Sequence, residues 1–131
     1  MNNQLWFTTS KFEPIAGEDK ETNPGRFGKA LAIWVRQKLL ARGKPITEEI
    51  IPEDWGWVVM VQRKPFPLWI GCGNEDGSKT RWSLLVTAEP NIFQKILKRV
   101  DTAPAVSALE TELEQIVRAE PGLEDIEWEK L

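Results

Sequence analysis

The sequence predicts an α+β domain in which helices pack on one face of a mainly antiparallel sheet of four or five strands. Three observations predict it. Apolar residues alternate with a period of two through the middle of the chain, and they recur at helical spacing on either side of that middle. The links within the middle are short turn sequences, so consecutive strands pair as a meander. The resulting order is β-α-β-β-β-α-α, with a final β left open. A chain of 131 residues is expected to form one domain, 1–131, around one core.

The first strand is read in "LWFTTSKF", residues 5–12, where aromatics and threonines alternate before Pro14 and Gly17. "EPIAGEDKETNPG" is a polar loop. Asn23 is placed to cap a helix with Pro24 at its first position, where a missing N–H costs nothing. Phe27, Leu31, Trp34, Val35 and Leu39 then follow at helical spacing, and Gly43 stands where a left-handed residue ends the helix.

"KPITEEIIPEDWG" reads as a connector rich in proline and glutamate. From Trp57, the run Val58, Val59, Met60, Val61 is too short for a free-standing helix and reads as a strand ended by "QRKP". Phe66, Leu68, Ile70 and Cys72 share one face of the next strand and Trp69 takes the other. "NEDGSK" turns the chain into a third strand, "TRWSLLVTAE".

After Pro90, the residues Ile92, Phe93, Ile96, Leu97 and Val100 repeat with helical period, with Lys95, Lys98 and Arg99 between them as a solvated face. Thr102 and Pro104 interrupt. Val106, Leu109, Leu113, Ile116 and Val117 resume the repeat with Glu110, Glu112 and Glu114 outside, giving two helices or one with a kink. Pro121 and Gly122 stop it, and Leu123, Ile126 and Trp128 in "LEDIEWEKL" allow a short edge strand.

Apolar residues at 41% and charged residues at 28% are those of an ordinary globular chain. "MNNQLWFTTSKFEP" lacks the basic start and apolar run of a signal peptide, and no segment approaches the roughly 18 apolar residues of a membrane span, so a cytoplasmic location away from the membrane is expected. A lone cysteine, Cys72, agrees with a reducing compartment. The net charge of −3 is unevenly spread: residues 1–101 carry 15 basic and 12 acidic groups, whereas residues 102–131 carry 2 and 8. That lacks the basic footprint of a nucleic-acid binder and suits a basic protein partner.

The chain has no histidine, which removes the commonest general base and metal ligand, and with one cysteine it cannot build a Cys/His zinc site. No cofactor and no enzymatic activity are expected. The glycines of "IGCGNEDG" are not followed by the lysine and hydroxyl of a phosphate loop, and "NEDGS" lacks the later glutamate of a calcium loop. Cys72, in phase with Leu68 and Ile70, is expected to be a buried thiol, and the carboxylate pairs Glu48/Glu49 and Glu53/Asp54 are expected to be solvated.

"IPEDWGWVVMVQRKPFPLWIGCGN", with "FGKALAIWVRQKLLARG" before it and "WSLLVTAEP" after it, resembles small uncharacterised bacterial α+β proteins of helix, Trp-rich meander and helix layout. In shape, acidity and lack of catalytic groups the chain also resembles the immunity proteins that neutralise bacterial toxins. The resemblance implies a cytoplasmic inhibitor that occludes a toxin or enzyme, and it assigns no residue.

Two functional expectations follow from the seven tryptophans and the acidic end. The first is a protein-binding module whose contacts come from Glu53, Asp54 and Trp69 together with the Glu110, Glu112 and Glu114 face. The second is a small-ligand domain with an aromatic pocket between sheet and helices, lined by Trp34, Trp57 and Trp82. A homodimer that buries the exposed sheet face against a second copy stays open beside both.

Overall fold

The computed structural model describes residues 3–96 and 100–131. Six strands form one antiparallel sheet: β1 (Asn3–Thr8), β2 (Ile51–Glu53), β3 (Gly56–Gln62), β4 (Leu68–Asn74), β5 (Arg81–Ala88) and β6 (Glu124–Lys130). Their spatial order is β2-β3-β4-β5-β1-β6. The helices are α1 (Lys29–Ala41), the short α2 (Ile92–Ile96) and α3 (Ala103–Ala119). Among these residues, no helix is long and apolar enough to cross a membrane.

The class is as read from the sequence, and the strand count is higher. The strand missed is β2, three residues of the connector that pair with β3 through Ile51 opposite Val58, Pro52 opposite Trp57 and Glu53 opposite Gly56. Its proline and glutamates conceal it, yet an edge strand tolerates a residue without an N–H. Asp54 and Trp55 are the two-residue link of this hairpin. The final strand forms in full, seven residues long.

β1 ends at Thr8, four residues before the expected limit, because Phe12 leaves the strand to enter the core between helix and sheet. There it lies 5.1 Å from the Trp34 ring and meets Trp82 edge-on. β1 then pairs with β5 on one side and β6 on the other, so Leu5 stands between Leu84 and Trp128.

α1 starts at Lys29, not after Asn23. Asn23, Pro24, Gly25 and Arg26 form a turn closed by the Arg26 N–H donating to the Asn23 carbonyl at 2.9 Å, and Asn23 Nδ2 reaches the Asp54 carbonyl. The cap comes from a distance: Glu18, 1% exposed, accepts from the Lys29 N–H at 2.9 Å with one carboxylate oxygen and from the Ile15 N–H at 2.8 Å with the other. A carboxylate at a helix N-terminus satisfies an orphan donor and meets the positive end of the helix dipole. Pro104 lies in the first turn of α3 and begins that helix rather than interrupting it. Leu97, Lys98 and Arg99, expected on the preceding helix, lie outside the described residues.

α1 packs on β3 and β4, and α3 on β5. Leu31, Val35 and Leu39 of α1 and Leu109, Leu113, Ile116 and Val117 of α3 join Leu5, Phe7, Trp57, Val59, Ile70, Cys72, Trp82, Leu84 and Val86 in one core. One residue in two along each central strand therefore faces the helices. The other half faces away from them.

Candidate functional site

The strand registers fix what the second face carries. One cross-strand row runs Glu53, Gly56, Gly73, Ser83, Trp6, Glu127; the next runs Ile51, Val58, Gly71, Leu85, Gln4, Glu129. A third holds Met60, Trp69 and Thr87. Each of the first two rows ends in a glutamate on β6; the middle of the first is Gly56, Gly73 and Ser83, and in the second Gly71 leaves a gap between Val58 and Leu85. The centre of the face is consequently a trough.

Trp55 fills that trough. From the tight β2–β3 link its indole folds back over the sheet, with Cη2 and Cζ3 at 2.8 and 3.0 Å from where a Cβ on Gly71 would stand. It stacks on Trp69 with ring centroids 6.0 Å apart and planes 20° apart. Trp55 is 39% exposed, although Val58 and Met60 beneath and beside it are buried. The missing side chain at Gly71 is what leaves room for the ring to lie this close to the sheet.

Grooves flank the indole pair. One, of about 310 Å³, runs between Trp55, Trp69 and Leu85 toward Gln4, Ser83 and Arg26. The other, of about 600 Å³, lies between Trp69, Met60 and Val58 and is bordered by Glu53, Arg63 and Glu89. Arg63 is held by Glu48 through two hydrogen bonds of 2.8 and 2.7 Å, which keep the Glu48 carboxyl below the usual carboxylate range and raise the guanidinium above its own. Toward β6, Arg81 lies against the Trp6 ring and pairs with Glu127, while Trp6 Nε1 donates to Glu129 at 3.2 Å. Asn74, almost fully buried, anchors the rim: it accepts from the Phe27 N–H and donates to the Gly25 and Ser78 carbonyls.

Of the residues expected to bind a partner, Glu53 and Trp69 stand on this face and Asp54 sits in the link beside Trp55. Glu110, Glu112 and Glu114 are on α3, across the sheet from them, so the structure does not bring the two groups together. Glu112 is paired with Lys44 at 3.1 Å and Arg42 at 3.7 Å. Glu114 accepts from Arg118 and from Trp128 Nε1, which hold its carboxyl below the usual range. Of the three residues expected to line an inner pocket, Trp57 and Trp82 are core residues, 2% and 1% exposed, and Trp34 is half-buried against Phe12. Burial pushes the Cys72 thiol far up, so it is held as an unreactive thiol. Among the described residues, no three His, Cys, Asp or Glu side chains gather as a metal site.

No family model, curated protein or solved structure matches this chain. Trp69 was visible in the sequence as the residue out of phase with its neighbours. Trp55 leaves no such mark in the sequence, because its position depends on the hairpin link and on the space left by Gly71.

Proposed function

We propose that the protein is a non-catalytic binding module, of the inhibitor or immunity kind, that docks a basic surface of another protein on the helix-free face of its sheet. The observation that carries this reading is the Trp55–Trp69 stack, partly exposed at the centre of a face whose margins hold Glu53, Glu89, Glu127 and Glu129, with the nearby Arg63 and Arg81 tied to Glu48 and Glu127. Tryptophan in the middle of a patch is, with tyrosine and arginine, an enriched energetic anchor of protein interfaces, and charged margins steer and select the partner. The acids of α3 lie across the sheet from the stack and take no part in it. The lack of histidine and the unreactive Cys72 support a role without catalysis.

The test is capture from a lysate of the native host by the wild-type chain and by a W55A/W69A double variant, with circular dichroism to show that both are folded. One stoichiometric basic protein retained by the wild type and lost by the variant is the expected result. Equal capture by both, or self-association of the wild type through this face, would sink the reading.

A further inference from the structure

We propose that the free edge of β6 accepts an extended basic segment of another protein as a seventh strand of the sheet. The inference deepens the docking reading, on which it rests for a basic partner, and it concerns a different surface: the backbone edge rather than the indole pair.

The two edges of the sheet are unequal. β2 is three residues long and contains Pro52, which has no N–H to offer. The chain before it is fastened by the Glu48–Arg63 pair and by Arg36 Nε donating to the Glu48 carbonyl at 3.0 Å. β6 has seven residues, no proline and, among the described residues, β1 as its one neighbour in the sheet. Beyond the irregularity at Asp125, whose φ is 51°, residues 126–130 continue as regular strand. An unpaired strand edge of this kind is a template for another chain.

The side chains of β6 specify what could join it. Glu127 and Glu129 point to the helix-free face, while Ile126 and Trp128 point to the helices and are only half-buried. Trp128 is held in place by its indole N–H donating to Glu114 at 2.9 Å. An added strand with lysine or arginine on one side and apolar residues on the other would meet the second carboxylate oxygens of Glu127 and Glu129, whose first oxygens hold Arg81 and the Trp6 indole, and finish covering Ile126 and Trp128. Two copies of β6 side by side would instead set glutamate against glutamate, and like charges directly opposite are destabilising. The charges that oppose self-pairing favour a basic strand.

The probe is a short peptide of alternating lysine and valine, titrated into the isotopically labelled full chain. Two controls carry N-methyl groups on alternate residues, one for each parity, which keep charge and remove backbone hydrogen bonding on one side. The expected result is saturable binding with amide shifts and new exchange protection confined to residues 126–130, loss of binding for one methylated parity, and weakening of about tenfold or more in E127Q/E129Q. Equal binding of both methylated peptides would mean charge attraction alone and would overturn strand addition. No binding, or shifts centred on Trp55 and Trp69 with β6 silent, would also overturn it. The W55A/W69A capture experiment is independent of this outcome, so the two readings can fail separately.

Discussion

Gly71 and Gly56 respond differently to a methyl group. A Cβ on Gly71 meets the far end of the Trp55 side chain, which can swing away, whereas one on Gly56 collides with the backbone carbonyl of Cys72. Gly71→Ala should therefore leave stability within about 1 kcal/mol of wild type and displace the Trp55 indole, seen as a red-shifted emission component that is absent in a W55F background. Gly56→Ala should cost about 2 kcal/mol or more in urea unfolding. Cys72, with its thiol pushed up by burial, should resist a thiol reagent at pH 8 in the native state and react fully in denaturant. Labelling of the native chain at the denatured rate would show that the strand is open. Sequence parity predicted a buried Cys72. It had no means of showing that Trp55 would occupy the space above Gly71, since that contact is set by the turn geometry of a strand too short to recognise.

At the scale of elements, the start of α1 hangs on one remote carboxylate. Glu18 is the buried acceptor for two backbone N–H groups, and its replacement leaves both donors unpaired. Glu18→Ala should cost about 2–3 kcal/mol in denaturant unfolding and E18Q less, because the amide keeps one acceptor oxygen. An E18A variant as stable as wild type would show that α1 needs no such cap. The apolar stripe of α1 was legible from its spacing, and its first residue was not. Asn-Pro before a helical repeat is a common start signal, but here those residues close a turn, and an acid eleven positions ahead of Lys29 leaves no local signature. β3, β4 and β5 were legible because each is long enough for its alternation to show. β2 was hidden by its length and its proline.

On the scale of the whole molecule, polar contacts tie elements together: Lys11 and Lys38 form exposed ion pairs with Glu120 at the end of α3, and the Trp128 indole N–H of β6 donates to Glu114 of α3. The hydrogen bond from Lys11 to Glu120, and those from Arg118 and Trp128 to Glu114, keep both carboxyls below the ordinary value of 4.5. A carboxyl whose folded value is depressed adds stability that is complete above its unfolded value and is lost as pH falls through the folded one. The melting temperature should accordingly decline as pH drops below 4.5. E114Q should start slightly lower at neutral pH, within the roughly 0–1 kcal/mol of an exposed pair, and lose less on acidification. Parallel pH curves for the two proteins would remove Glu114 from the account. The strand order was out of reach of local pattern, since β1 enters between β5 and β6, which follow it at long sequence separation. That order carries the acidic end of the chain onto the same sheet face as Trp55 and Trp69. The stack also has an optical consequence: two indoles 6.0 Å apart and 20° from parallel are close enough for their transitions to couple, so the face carries its own exciton signal in circular dichroism. Any molecule that parts the rings will report its arrival without a label.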